Sequence, residues 1–279
     1  MSLHFADVTG FSLRRVAAMV IRYLYLLRTS WPRVLDLIYW PAVQMITWGF
    51  LQSFISQASN RGVATAPLAM AAGTLIGAVL LWDILFRGQL GFAISFLEEM
   101  WSRNIANLLM SPLRPLEFVA SLMVMSVIRL AIGLVPVTGL AIWFFGYNLW
   151  GLGLALGAFF ANLILTSWSV GIVVCGLVLR HGMGAEAFAW SVMFLMMPLA
   201  CVYYPVSVMP HWLHYVAWCL PPTYVFEGFR ALAQEHVFRA DLMLRALAIN
   251  LGLFAVAVEI FLALLNSARR SGSLLQTGE

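Results

Sequence analysis

The sequence contains no lysine; all sixteen of its Lys/Arg positions are arginine. A P-loop needs a lysine ammonium to reach the β- and γ-phosphates of a nucleotide, and no Gly-x-x-x-x-Gly-Lys-Ser/Thr run occurs. That mode of ATP binding is excluded for this chain. Charge of either sign is scarce, with 10% of the 279 residues charged against 62% apolar. A mean hydropathy of +0.90, with several apolar runs of roughly 20 residues, excludes an ordinary soluble domain. Cysteine is scarce too. Cys175, Cys201 and Cys219 are odd in number and lack C-x-x-C spacing, so they form no disulfide framework. No Ser-His-Asp or Cys-His arrangement falls at a credible depth for catalysis, and no covalent chemistry is assigned.

What charge there is favours the positive, with a net +4 and a pI of about 9.2. The arginines are scattered along the boundaries of apolar runs, not stacked on one face. Lipid phosphates and acidic patches on a cytoplasmic protein suit them better than nucleic acid. The N-terminus does not read as a secretory signal, because the first long apolar run follows about 30 residues that hold five arginines.

The pattern predicts an all-α polytopic membrane protein, one transmembrane domain over residues 1–279 with six spans. Residues 11–29 interleave Arg14, Arg15, Arg22 and Arg28 with apolar side chains. They read as an amphipathic helix lying in the membrane surface, or as an extension of the first span; Trp31-Pro32 breaks the run and favours the former. Spans are expected over about 35–55, 67–86, 118–145, 149–179, 187–206 and 243–265. Residues 209–229 are apolar but fractured by Pro210, Pro221 and Pro222 and crowded with Trp and Tyr. They suit short helices that dip into the interface without crossing. Ten boundary arginines on one side against four on the other place both termini in the cytoplasm.

Between the second and third spans, residues 98–110 have a different texture. Glu98 and Glu99 open the segment, Met100, Trp101, Arg103, Asn104, Asn107 and Leu108 follow, and Pro112 closes it. At helical spacing Ile105, Leu108 and Leu109 face the membrane body while Glu99, Arg103 and Asn107 project outward. Such a helix can dock into a groove on a soluble partner, or simply serve as a solvated connector.

Three charges fall within spans: Asp83, Arg129 and Glu259. A lone arginine at mid-membrane costs about 2.5–3.5 kcal/mol on insertion scales. Arg129 is therefore expected to pair with Asp83 or Glu259, and Asp83 also reaches Arg87 one turn away. These charges read as a polar floor or latch, or as a structural ion pair. Glu227 and Arg230 are expected to pair and brace the broken segment. His211 and His214 share a helix face, but no further ligands lie at metal-site spacing. Met193, Met196 and Met197 read as packing. Gly151, Gly153 and Gly157 would permit close helix contact.

The run from Glu98-Glu99 through Leu108-Leu109-Met110-Ser111-Pro112-Leu113-Arg114-Pro115-Leu116-Glu117 resembles the loop between spans two and three of type-2 ABC exporter permeases. Pro205-Val206-Ser207-Val208-Met209-Pro210 and Pro222-Thr223-Tyr224-Val225-Phe226-Glu227-Gly228-Phe229-Arg230 are similar to that family's stretch after span five. The chain departs where the family's Gly-Thr pair is Arg103-Asn104, and where Met100 replaces a common Arg. The resemblance implies a half-transporter: two copies of this chain with two separate ABC ATPase subunits, which would hold the ATP and Mg while this chain holds no cofactor. It implies that residues 98–110 form the coupling helix beside the interfacial helix 11–29. It also implies a dimer seam drawn from spans one, two and five, which Trp40, Trp48 and Phe50 would line if they do not face lipid. The cargo would be amphiphilic: a lipid-linked glycan, a lipid or a hydrophobic drug. An ion-coupled carrier or a non-transporting scaffold are the alternatives. The setting implied is a bacterial cytoplasmic (inner) membrane.

Overall fold

The computed structural model describes residues 10–61 and 66–271, and every regular element among them is helical. Ten α-helices follow one another: α1 (Leu13–Arg28), α2 (Trp31–Asn60), α3 (Ala66–Trp101), α4 (Ile105–Met110), α5 (Pro115–Phe145), α6 (Leu154–His181), α7 (Phe188–Leu199), α8 (His211–Trp218), α9 (Pro221–Glu235) and α10 (Ala240–Ser271). Residues 1–9, part of the N-terminal stretch, lie outside the described residues, as do 62–65 and 272–279.

α1 buries Val16, Met19, Val20, Tyr23 and Leu27 at helical spacing, while Arg14 and Arg28 remain exposed. It stops at Arg28, and α2 begins with Pro32 in its first turn. There the missing N–H costs nothing and the fixed φ suits helix entry. α1 is thus separate from the first long helix. α5 ends on Gly146, whose φ of +66° closes the helix in the left-handed region. α8 starts after Pro210, and α9 starts at the Pro221-Pro222 pair.

α3 is the hub. It packs against α2, α5, α6, α7 and α9, and Leu80, Leu81, Trp82, Leu85, Phe92 and Ala93 are almost wholly enclosed. α2 and α10 lie at the periphery, with large apolar side chains such as Tyr39, Phe54, Leu244 and Leu251 exposed. Close approach of α5 to α2 needs Gly133, where a Cβ would sit 2.5 Å from the Leu37 carbonyl oxygen. α6 and α10 are joined by a buried polar cluster. Thr166 Oγ1 donates to Asn250 Oδ1 at 2.7 Å, and Asn250 Nδ2 donates to the Asn162 carbonyl at 3.0 Å. In an apolar surround such bonds act as glue between helices.

Several expectations need correction. Among the described residues, five helices are long and apolar enough to cross a membrane, where the pattern predicts six spans. The expected fifth span, 187–206, yields only the 12-residue α7 after a 3-10 turn at Met183–Ala187. Pro198 sits in its last turn, and Cys201 adopts a φ of +54°, so the helix cannot continue. Twelve residues reach about 18 Å, short of a hydrocarbon core of about 30 Å. The second span runs on to Trp101, so residues 98–110 are not one helix but the end of α3, an elbow and α4. Gly153 and Gly157 meet no neighbour within 4 Å, and Gly151 only its own turn's Asn148; close contacts lie instead at Gly49, Gly77, Gly88, Gly133, Gly171 and Gly228.

Asn250→Leu removes the amide that α10 contributes to the cluster and leaves Thr166 only its 3.0 Å bond to the Asn162 carbonyl within α6. The expected loss is about 0.6–2 kcal/mol of helix-bundle stability, read as a lower midpoint in a detergent-denaturant titration. An unchanged midpoint would show that the cluster does not hold α6 to α10.

Candidate functional site

Adjacent carboxylates on the last turns of α3 face different partners. Glu98 accepts from Arg129 of α5 at 2.8 Å and from Arg33 of α2 at 3.3 Å. It is therefore the partner of Arg129, and the expected pairing with Asp83 or Glu259 does not occur. Asp83 is enclosed, with its nearest cation, Arg87 Nε, 3.8 Å away. Glu259 lies on the exposed face of α10 beside Val256 and Ile260. Glu98 supplies the acid from the last turns of α3, beyond the point at which the sequence pattern ends the second span.

Glu99 turns the other way and is 1% exposed, not projecting as the segment's spacing suggested. It is bonded to Arg22 of α1, whose second nitrogen lies 3.2 Å from Oε2, and it accepts from Asn104 Nδ2 at 2.8 Å. The hydrogen bond to Glu99 raises the Arg22 pKa further. Burial, then the Glu99 charge, pushes the neighbouring Tyr23 hydroxyl well above an ordinary phenol. α1 is fixed a second time through Glu117. That carboxylate accepts from Arg15 Nε at 2.7 Å, from the Ser12 amide at 2.8 Å and from the Arg114 amide at 3.0 Å.

Beyond Glu99 the backbone reverses at Arg103, a non-glycine residue at φ +54°. Holding it in the left-handed region costs energy that the surrounding bonds must offset. The Asn104 amide donates to the Glu99 carbonyl at 2.9 Å, and the Asn104 side chain to the Glu99 carboxylate, which closes the elbow. Trp101, Ser102, Arg103, Asn107 and Met110 are exposed on it, while Met100 and Ile105 are buried and Leu108 is half-buried. Trp101 Nε1 also donates to Glu186 at 3.3 Å, joining the elbow to the turn that precedes α7.

A cavity of about 630 Å³ opens between α2, α3 and α7. Trp40 and Trp48 of α2, Trp82 and Phe86 of α3, and Trp190 and Phe194 of α7 supply its rings. Trp82 and Phe86 are near-parallel with centroids 5.9 Å apart, and Phe86 meets Phe194 at 5.7 Å. Asp36, Arg87 and Arg129 add charge along the lining. Phe50 lies elsewhere, edge-on to Phe145 at 5.5 Å. Trp190 and Phe194 were not singled out from the sequence. Their spacing of four on one helix face, repeated by Trp82 and Phe86, is the signal that would have found them.

Glu227 and Arg230 pair at 3.0 Å. Arg230 also donates to the Cys201 and Val202 carbonyls at 2.9 and 3.3 Å, and Glu227 accepts from the Val206 amide at 2.8 Å. They brace the linker after α7 to α9, not to α10. His214 Nε2 lies 2.9 Å from the Met209 carbonyl oxygen, and its ring centroid is 5.3 Å from that of His211. Met193 is buried in the core, Met196 packs against it, and Met197 lines the aromatic cavity.

Several apolar helices around a buried hub, a membrane-depth aromatic cavity and an ion-paired elbow define a multi-pass membrane transport component. Residues 24–233 match the family model described as ABC-2 type transporter. The chain belongs to that family, as a membrane subunit of the permease kind. No curated protein matches the sequence.

Removing one partner from a buried ion pair leaves an uncompensated charge and costs about 3–5 kcal/mol, whereas an exposed pair is worth about 0–1 kcal/mol. Glu98→Ala is expected to lower the thermal midpoint far more than Arg33→Ala, whose side chain is 51% exposed. Equal midpoints for the two variants would show that the Glu98–Arg129 contact carries no weight.

Proposed function

We propose that this chain is the membrane half of an ATP-driven exporter of an amphiphilic cargo, a lipid-linked glycan, a lipid or a hydrophobic drug, energised by a separate cytoplasmic ABC ATPase. The observation that carries the reading is the aromatic cavity, whose three helices are each tied mechanically to the α3 elbow. α2 reaches it through Arg33 and Glu98, α3 ends in it, and α7 is joined by Glu186 and Trp101. A rigid push on the elbow therefore reaches every wall of the cavity. The lining suits a cargo with an apolar body and a polar end: rings cover the body, and Arg87, Arg129 and Asp36 meet the end.

A second copy is the natural cover for the open side. α2 exposes Tyr39, Trp40 and Val43, and α7 exposes Phe194 and Leu195, on the two helices that flank the cavity. Two copies meeting there would join their cavities into one path, and lipid would cover the remaining apolar flanks. The charge distribution favours an even number of crossings with both termini in the cytoplasm of a bacterial inner membrane. α7, too short to span alone, then makes the sixth crossing together with the turn before it and the apolar linker after it, α8 and α9 lie on the outer side, and residues 1–279 form one permease domain. ATP and Mg belong to the companion subunit, and this chain holds no cofactor of its own.

In this scheme Trp101, Arg103 and Asn107 meet the ATPase, while Met100 and Leu108 seat the elbow. Glu98, Glu99 and Asn104 act as positioning residues that transmit the push. Asp83 stiffens α3, Glu259 faces lipid or the second copy, and the Glu227–Arg230 pair holds the outer linker. An ion-coupled carrier would draw on Asp83, whose carboxylate oxygens have no hydrogen-bond donor, but it leaves the exposed elbow without a role.

Trp101→Ala and Arg103→Glu change exposed side chains and should leave the helices folded. With the copurifying ATPase in proteoliposomes, hydrolysis is expected to persist while export falls about 5–150-fold, the size of a coupling free energy of about 1–3 kcal/mol. Unaltered export in both variants, or export driven by a proton gradient without ATP, would overturn the reading.

A further inference from the structure

The polar end of the aromatic cavity holds hydrogen-bonding capacity that nothing among the described residues uses. Arg87 stands on the cavity wall with 13% of its side chain exposed. Its Nε is buried, 3.8 Å from Asp83 and without a hydrogen bond. Its two terminal nitrogens are not buried, and no acceptor among the described residues meets either of them. Arg129 gives Nη2 to Glu98 at 2.8 Å and keeps Nη1 open in the same way. The two guanidiniums rise from neighbouring levels of one wall. Arg129 packs over Gly91, one turn beyond Arg87, where an added Cβ would lie 3.5 Å from the Arg129 Cβ. The third charge in the lining, Asp36, is exposed and has no hydrogen bond or ion pair among the described residues. It lies within electrostatic reach of Arg87.

Each of these groups restricts what can meet it. A guanidinium only donates, so its partner must accept, and phosphate oxygens match its planar fork. An ionised carboxylate only accepts, so the same ligand must also carry a donor. Charge narrows the choice further. Asp36, Asp83 and Glu98 supply the carboxylates here, and Arg33, Arg87 and Arg129 supply an equal number of guanidiniums. The wall is neutral as a whole. A purely anionic end would enter it uncompensated, whereas a phosphate joined to an ammonium adds no net charge. From Asp36 the cavity follows α2 as far as Trp48, a length of about 18 Å. Beyond the charges, Trp48, Trp82 and Phe86 offer ring faces to an apolar chain.

We propose that this end of the cavity is a headgroup site for a zwitterionic phospholipid. The phosphate sits on Arg87 and Arg129, the ammonium on Asp36, and the upper acyl chains along the rings. The assignment deepens the export reading and rests on it for movement, but not for binding. It selects a lipid among the amphiphiles considered above.

The test uses the full chain, stripped of lipid in detergent, with no ATPase present. Phosphatidylethanolamine, phosphatidylglycerol and diacylglycerol with identical short chains are titrated in by native mass spectrometry. Phosphatidylethanolamine is expected to bind about tenfold or more tighter than phosphatidylglycerol, with diacylglycerol weakest. Asp36→Asn, at an exposed position, is expected to erase that preference and leave phosphatidylglycerol binding unchanged. Arg87→Gln/Asp83→Asn removes both members of the enclosed pair, so no lone charge is left behind. It is expected to weaken both phospholipids about tenfold. Glu259→Gln, on the exposed face of α10, reports lipid held merely at the surface and should alter neither. Equal or tighter binding of phosphatidylglycerol, or a preference that survives Asp36→Asn, would overturn the proposal. So would a loss in Glu259→Gln matching that of the double variant, or equal occupancy by glycerophosphoethanolamine, which is the headgroup without chains. Since no nucleotide or flux enters the measurement, such a result leaves the ATP-driven reading standing. Failure of ATP-driven export in the full complex would likewise leave lipid binding intact.

Discussion

The adjacent carboxylates Glu98 and Glu99 decide how the rest of the chain is arranged. They sit side by side on the last turns of a helix that is otherwise almost wholly enclosed, and they face opposite ways. Glu98 gathers α2 and α5 through two guanidiniums, and Glu99 gathers α1 and the elbow through Arg22 and Asn104. Charges at this depth are costly alone, and each one here is compensated by geometry that fixes a helix in place. Remove the two acids and four elements lose their common anchor, while α3 itself keeps its apolar packing. The arrangement makes the end of α3 stiff where much of the rest of that helix is held by apolar contact.

Under the proposed function force enters at the end of α3, and a transport machine needs stiffness there. Apolar packing in a membrane is weakly directional, because lipid tails are as oily as the side chains they replace. Directional links are therefore the ones that can transmit a displacement. In this chain they cluster at the elbow, at the Asn162–Thr166–Asn250 joint between α6 and α10, and at the Glu227–Arg230 brace. The aromatic cavity lies between the first and third of these. Its walls belong to helices that the elbow holds and the brace limits, which suits a space that opens and closes as a unit.

Much of this was legible in the sequence. Apolar runs located the long helices, prolines marked the starts of α2, α8 and α9, and the arginine-laced stretch marked the amphipathic α1. The seam implied by the family resemblance, from spans one, two and five, coincides with the helices that line the aromatic cavity. The failures have a shared cause. Hydropathy stops a span where polar residues begin, so α3 was ended near Phe86 although Arg87, Gln89, Ser95, Glu98 and Glu99 all find enclosure against other helices. The same rule carried α7 too far, because the residues after Pro198 remain apolar while the backbone at Cys201 has already turned. The partner of Arg129 is hidden for the same reason, since Glu98 follows the polar residues at which hydropathy ends the span although α3 continues through it.

The central claim is that nucleotide energy reaches the cavity through the elbow from a companion protein. Spin labels at Val43 on α2 and Leu195 on α7, in a chain whose cysteines are replaced, report the width across the cavity by pulsed electron resonance in nanodiscs. Labelled chain is diluted with unlabelled chain so that distances within one copy dominate. The account predicts that a non-hydrolysable ATP analogue shifts this distance only when the copurified ATPase is bound and Trp101 is intact. A shift produced by nucleotide on the chain alone, or a distance unmoved in the complete complex, would contradict it.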